Sequence, residues 1–289
     1  MLGKLIKHEF KAVNRLMLPL HLGLIVVTII GRFYVQFVMA REHVNYSNYS
    51  LRMWEGIIDV MLISVYVIAL IAIYIITWLY LDILRFRKNL FTDEGYLMHT
   101  LPASATEHII AKLTVAIVWQ IADTLLICLS VFTMVINKSI IEDFGVFWHE
   151  LWSSFPNMFG VPVGVGIPVF LITALVNFFA STLIIYMCIA IGHSFNNHKI
   201  LSSIGIYMGY KVVTNLLSSI VAALAGVGLY GNMSVNNIFF GFGNYYYSSL
   251  DGATYFWVNM GFSLILGIVL CVGAFILTNH FMSKRLNLE

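Results

Sequence analysis

The sequence predicts an all-α polytopic membrane protein with six transmembrane helices, and three observations predict it. The first is composition. Of 289 residues, 60% are hydrophobic and 10% are charged, with a mean hydropathy of +0.87. A soluble domain carries about a quarter charged residues, and this chain lacks the polar surface to cover a globule. The second is run length. Six apolar stretches, at about 17–39, 56–84, 111–136, 161–192, 204–229 and 255–279, reach the roughly 20 residues that a helix needs to cross a bilayer core. The third is charge asymmetry. Lys4, Lys7, Lys11, Arg15, Arg85, Arg87, Lys88, Lys112, Lys199, Lys284 and Arg285 fall in segments on one side of the spans, whereas only Arg41, Arg52 and Lys138 fall on the other. Basic residues collect on the cytoplasmic side. Both termini are therefore expected in the cytoplasm of a cell whose plasma membrane the chain spans several times.

Residues 1–16, MLGKLIKHEFKAVNRL, place Leu2, Leu5, Ile6, Phe10 and Val13 at the spacing of one helix face and Lys4, Lys7, Lys11 and Arg15 on others. This predicts an amphipathic helix lying in the membrane interface. The competing reading makes it the cytoplasmic start of the first span. No small-residue cleavage site follows that span, so it is expected to stay as an anchor. Residues 17–289 then form a single six-span domain. After the first span, 45-NYSNYS-50 holds two N-x-S sequons, which alone carry little weight. Residues 156–168 mix Pro156, Pro162 and Pro168 with Gly160, Gly164 and Gly166. A plain helix does not tolerate this mixture, which predicts a broken or re-entrant segment sheltered by protein. Residues 230–253, glycine-punctuated and aromatic, read as either an outer gate or an interfacial aromatic belt.

Chemistry-bearing motifs are few. No G-x-x-x-x-G-K-[ST], H-E-x-x-H or G-x-S-x-G is present, so no nucleotide hydrolysis, metalloprotease or hydrolase chemistry is expected from this chain, and it is not read as an enzyme. Cys128, Cys188 and Cys271 each sit in an apolar run and read as small buried hydrophobes. No metal site is expected, and the net charge of +2 gives no reason to expect nucleic acid.

Four ionisable residues fall within or near spans: Arg32, Asp59, Asp123 and Lys211. Each costs about 2.5–3.5 kcal/mol at a helix centre, so each needs a partner or water. Depth suggests pairing Asp123 with Lys211 near the midplane and Arg32 with Asp59 toward the outer side. They serve either as structural pairs or as the lining of a substrate path. Gly205 and Gly209 form a G-x-x-x-G in the fifth span, a candidate dimer contact.

The polar interruption 86-FRKNLFTDEGYLMHTLPAS-104 is the most particular segment. Arg85, Arg87 and Lys88 lie at headgroup level, Leu90, Phe91, Leu97 and Met98 supply an apolar face, and Pro102 stops helix continuation. Ser104 and Glu107 make an S-x-x-E capping box that opens the third span. Apolar side chains on a cytoplasmic loop point to a protein partner.

The run from Arg87 to Leu97, followed by Thr100 to Ser104 and Lys112, resembles the first cytoplasmic loop of ABC-2 type permeases of Gram-positive bacteria, the membrane subunits of ATP-binding-cassette exporters. The interfacial helix, the six spans and the irregular outer segment fit that resemblance over the full length. Within the family the chain is most similar to permeases of peptide exporters, such as those for phenol-soluble modulins. The resemblance implies that ATP and magnesium are handled by a separate cytoplasmic ATPase and that a second permease copy, or a homologous permease, completes the transporter. It implies a coupling loop over 85–110 that seats in the ATPase through Phe91, Thr92, Asp93, Glu94, Gly95, Tyr96 and Leu97. Phe91, Tyr96 and Leu97 would be anchors, and Asp93 and Glu94 would meet basic residues. The implied function is alternating-access export of an amphipathic substrate, a toxin or antimicrobial peptide being favoured. Ions, lipids and drugs remain alternative cargoes, and an ion-driven carrier or channel a rival mechanism. That rival requires inverted repeats, and no clear repeat relates residues 1–140 to 141–289.

Overall fold

In the computed structural model, residues 1–41, 49–92, 95, 103–136, 138–195, 198–224, 227–230, 245–248 and 251–284 are described. Eight helices account for nearly all of them: α1 (Leu2–Arg41), α2 (Tyr49–Trp78), α3 (Arg85–Phe91), α4 (Ala105–Val135), α5 (Lys138–Phe159), α6 (Val163–Gly192), α7 (Lys199–Leu224) and α8 (Gly252–Lys284). A single π-helical turn, Leu79–Leu84, joins α2 to α3. Six helical stretches are long and apolar enough to cross a membrane: Leu2–Phe37, Gly56–Phe91, Ala105–Val135, Val163–Gly192, Lys199–Val221 and Gly252–Lys284. Each overlaps one of the six expected spans, although the fifth, expected to reach residue 229, ends as a helix at Leu224 and is followed by a strand at Val227–Tyr230; the chain is a multi-pass helical protein by length and composition.

Four elements differ from the expectation. Residues 1–16 do not form a separate interfacial helix, because α1 runs unbroken from Leu2 to Arg41 with Pro19 inside it. The reason is packing. Glu9, Val13, Met17, His21, Leu24 and Thr28 are all buried, and their steps of three and four continue one stripe through both the basic segment and the span. The expected irregular stretch 156–168 contracts to a tight turn. Pro156 lies within α5, Gly160 turns the chain at φ +65°, and Pro162 precedes the first residue of α6. Helix α5 was not expected at all; its side chains Phe144, Phe147, Trp148 and Trp152 are exposed. Of 230–253, residues 231–244 and 249–250 lie outside the described residues. Their flanks, Val227–Tyr230 and Tyr245–Ser248, pair as two antiparallel strands, β1 and β2, an element not predicted although Val and Tyr favour strands.

The chain divides into two compact units. The first comprises Met1–Arg85 and Ile110–Glu142. In it α1 and α4 run parallel at a nearly constant sequence offset: Glu9 meets Lys112 across 103 residues, and Thr28 meets Ser130 and Arg32 meets Met134 across 102. The α2 stretch runs against both, since Tyr66 reaches Ser130 while Asp82, further along, reaches Gln120. Val13, Met17, Leu81, Val115 and Ala116 form the apolar core, flanked by Phe10, Tyr80 and Trp119.

The second unit comprises Phe86–Ile109 and Asp143–Glu289. Its centre is α6, buried from Ala180 to Gly192 over much of its circumference. Helix α8 runs parallel to it. A Cβ on Gly267 would lie 3.0 Å from both Val176 Cγ1 and Asn177 Oδ1, so the missing side chain is what lets the two helices close. Asn177 then donates to Ser263 at 2.9 Å. At the α6–α7 corner Gly192 plays the same part, for a Cβ there would fall 1.9 Å from Ser203 Oγ.

Gly160 combines both constraints. Its φ is left-handed, and a Cβ would lie 2.4 Å from the backbone nitrogen of Ala253. Gly160→Ala is therefore expected to lose at least about 1–2 kcal/mol from backbone conformation alone, seen as a lower melting temperature of the detergent-purified protein. Gly164→Ala, which meets nothing within 4 Å, is the control and should melt as the parent does. Equal melting of the two variants would refute the packing assignment.

Candidate functional site

The stripe on α1 and the facing stripe on α4 carry polar groups at regular intervals, and they meet in tiers. At the first tier Glu9 Oε2 accepts hydrogen bonds from Arg85 Nε at 2.9 Å and Nη2 at 2.7 Å, while Oε1 accepts one from Lys112 Nζ at 2.9 Å. One carboxylate thus serves two cations from two other helical stretches, and the side chains of Glu9 and Lys112 are only 5% and 3% exposed. At the second tier Gln120 Nε2 donates to both oxygens of Asp82, at 2.8 and 2.9 Å. Asp82 is fully buried and sits in the π-helical turn. Such one-turn bulges are frequent at functional positions because they re-aim one side chain.

At the third tier His21 Nε2 lies 3.4 Å from Asp123 Oδ1, and the imidazole packs on Trp119 with ring centroids 5.1 Å apart. At the fourth, the Ser130 hydroxyl lies 2.6 Å from those of both Thr28 and Tyr66. At the last, Arg32 donates to the carbonyl of Met134 at 3.4 Å. From Glu9 to Arg32 the column spans about 35 Å of helix, the thickness of a bilayer core and a little more.

This arrangement places the four expected intramembrane charges. Arg32 and Asp59 belong to the same unit but do not pair. Tyr34 OH donates to Asp59 at 2.5 Å, and Arg32 turns to the Met134 carbonyl. The intervening Gly31 leaves room for the end of the Met134 side chain, which draws that turn of α4 in against Arg32. Asp123 finds His21, and Lys211 lies over the ring of Tyr207, 5.7 Å from its centroid. The expected pairing of Asp123 with Lys211 spans the two units and stays an expectation. Gly205 and Gly209 have nothing within 4 Å of an added Cβ, so among the described residues neither is covered by a neighbour.

Glu9, His21, Asp82, Arg85, Lys112 and Gln120 were not among the expected site residues. Their signal was available as periodicity: Lys112, Gln120, Asp123 and Ser130 fall on one face of α4. Among the described residues no group of three or more His, Cys, Asp or Glu is placed to hold a metal ion.

In the second unit the expected coupling loop begins later than its predicted start at residue 85, because α3 continues to Phe91. Phe86 stacks on Tyr186 with centroids 3.8 Å apart and planes 5° from parallel, and Phe91 packs on His193 at 4.8 Å. Phe91 is only 2% exposed. It was expected as an outward anchor for a partner, and its ring instead fastens α3 to the end of α6. Thr92 is half-buried and its hydroxyl donates to the Lys88 carbonyl; the Gly95 N–H donates to the Thr92 carbonyl at 2.7 Å. Asp93, Glu94, Tyr96 and Leu97 lie outside the described residues. The far end of the segment is as expected. Ser104 N–H donates to Glu107 Oε2 at 3.0 Å and Glu107 N–H donates to Ser104 Oγ at 3.2 Å, a reciprocal capping box.

His193 stands just past the end of α6. Its Nδ1–H donates to the Ile189 carbonyl at 2.9 Å, which leaves Nε2 to accept from Arg87 Nε at 3.4 Å. Burial holds the imidazole below the ordinary histidine range, and the nearby cations Arg87 and Lys199 add to this, against the opposing effect of the Ile189 bond. Comparison of the chain with protein-family models, with curated proteins and with solved structures returns no match.

Two outcomes are expected. Glu9→Gln removes the carboxylate shared by buried Lys112 and half-buried Arg85, and removing one partner of a buried pair costs about 3–5 kcal/mol. Adding Lys112→Met to Glu9→Gln should recover a substantial part of the melting temperature, and strictly additive losses would show that the three groups do not act as one site. For His193 the folded protein favours the neutral ring. Its contribution is therefore complete above the ordinary value of 6.5 and declines as pH falls through it. Backbone amides of α3 should lose hydrogen-exchange protection between pH 7 and 5, and His193→Gln should flatten that dependence; equal protection at both pH values would count against it.

Proposed function

We propose that the chain is the membrane-spanning subunit of an exporter driven by a separate cytoplasmic ATPase, with its termini in the cytoplasm and its spans in the plasma membrane. The observation that carries this reading is the bracketing of residues 92–104. On one side α3 is locked to α6 by the Phe86–Tyr186 stack and the Phe91–His193 contact. On the other, α4 starts from a satisfied capping box. A partner pressing on a segment held this way moves helices rather than bending a loop, which is what coupling a nucleotide cycle to transport requires. Supporting it are the six apolar helices, the sequence's lack of a phosphate-binding loop and the basic residues gathered at one set of helix ends. The resemblance of the 87–104 run to ABC-2 permeases points the same way.

In this reading Tyr96 and Leu97 seat in the ATPase and Asp93 and Glu94 meet its basic residues, while Phe91 transmits the displacement to α6. Helix α1, about 60 Å long, outreaches the hydrocarbon core, so its first turns and the Glu9 triad stand at the cytoplasmic interface. Gly205 and Gly209, open among the described residues, are the place for a second permease copy. The cargo is an amphipathic molecule, with a peptide favoured over lipid, drug or ion. A second reading, a carrier driven by an ion gradient, is favoured by the buried column from Glu9 to Arg32.

The test is co-expression with an ATPase encoded beside this chain, co-purification, and ATPase assay across peptides, lipids and sodium. Tyr96→Ala with Leu97→Ala should lower stimulated turnover about tenfold, equivalent to about 1.4 kcal/mol of coupling, with melting unchanged. Unaltered stimulation would dismiss the loop assignment, and failure to find any ATPase that co-purifies would favour the ion-driven carrier.

A further inference from the structure

We propose that His21 and Asp123 form a buried proton-binding site, an imidazole and a carboxyl that hold one proton between His21 Nε2 and Asp123 Oδ1. The argument starts at the other ring nitrogen. His21 Nδ1 lies 2.8 Å from the Met17 carbonyl. A carbonyl only accepts, so Nδ1 carries a hydrogen, and in a neutral ring Nε2 is then a bare lone pair. That lone pair faces Asp123 Oδ1 at 3.4 Å. Among the described residues neither atom has any other hydrogen-bond partner, and the two side chains are 10% and 2% exposed.

Without an added proton, two acceptors would confront each other out of reach of water, at the full desolvation cost of both. The separation is too short for a bridging water, which needs a hydrogen-bond length on each side. A single proton resolves the conflict. Bound to Nε2 it makes an imidazolium–carboxylate pair; moved to Oδ1 it makes a neutral acid donating to a neutral ring. Either way the pair holds one proton and has no net charge, the state cheapest to keep in a low-dielectric interior. Losing that proton leaves one uncompensated negative charge, and gaining another leaves one positive charge.

The neighbours do not supply the missing hydrogen. From α1 comes the Met17 carbonyl, and from α4 the ring of Trp119, tilted 53° to the imidazole, whose buried Nε1–H makes no hydrogen bond to either atom among the described residues. Gln120, also on α4, directs its amide hydrogens to Asp82 of the π-helical turn. The cations Arg85 and Lys112 are engaged by Glu9. On the far side the hydroxyls of Thr28, Ser130 and Tyr66 bond one another. The site stands whether transport is driven by ATP or by an ion gradient, since it rests on the geometry of two side chains. It gives the chain a place where taking up or releasing one proton changes the charge between α1 and α4.

Nitrogen NMR on the full-length protein in lipid nanodiscs, with 15N-labelled histidine and the His21 signals identified by their loss in His21→Gln, reads the site directly. At pH 7 the native Nε2 should carry or share a proton, and in Asp123→Ala it should shift to a bare, non-bonded nitrogen while Nδ1 stays protonated. Should Asp123→Ala fail to fold, Asp123→Asn keeps the shape, and at pH 7 Nε2 should then accept a hydrogen bond from the introduced amide instead of carrying a proton. A bare Nε2 in the native protein, an Nε2 proton indifferent to both substitutions, or a stoichiometric metal found by elemental analysis that departs in Asp123→Asn would each overturn the proposal.

Discussion

Glu9 is the group on which the first unit depends. Its two oxygens are divided between Arg85, at the start of α3, and Lys112, near the start of α4. Since Glu9 itself belongs to α1, one carboxylate ties three segments at one end of the unit. Buried ions are poor sources of net stability, but they punish misplacement severely. A slip of α1 against α4 by one residue would turn Glu9 away from both cations and would carry His21, Thr28 and Arg32 out of their tiers with it. The column therefore fixes register where lipid-facing Leu and Ile, equally content at any height, cannot.

The two units reach close packing by different means. In the first, polar side chains meet across helices while Val13, Met17 and Val115 fill the space between tiers. In the second, small residues let backbones approach: Gly267 admits Val176 and Asn177, Gly192 admits Ser203, and Gly160 with Gly252 closes the corner beneath α8. Both methods give a pair of parallel spanning helices, α1 with α4 and α6 with α8. Large apolar side chains such as Leu22, Ile30, Val60, Phe170 and Ile276 remain exposed on the outer faces, as suits a chain whose solvent is lipid.

The spans were legible in the sequence because length and hydropathy are local properties, and so was the capping box, whose partners sit three residues apart. The continuity of residues 1–16 with the first span was not legible, because an amphipathic stripe looks the same whether it faces lipid headgroups or a neighbouring helix. What settles the matter is that the stripe of Glu9 and Val13 continues as Met17, His21 and Leu24. Asp123 was singled out but its nearest partner was not, since His21 lies 102 residues away and a neutral histidine is no warning in an apolar run. The pairing of Arg32 with Asp59 failed for a similar reason: matching depth does not see the phenol of Tyr34. Phe91 was read as an exposed anchor because the sequence does not reveal that α3 folds back onto Tyr186 and His193.

The offset of 102–103 residues between α1 and its partners on α4 also sets an order of events during synthesis. Chains are made at about 5–20 residues per second, so α1 is complete for about 5–20 seconds before α4 exists. Throughout that interval Glu9 lacks Lys112 and His21 lacks Asp123, and the second of these is costly in hydrocarbon. The nascent first helix is thus a poor candidate for independent release into the bilayer. It is suited to waiting at the insertion machinery, or high in the headgroup region, until the third spanning helix emerges, so that the first unit enters the membrane as an assembled trio rather than one helix at a time.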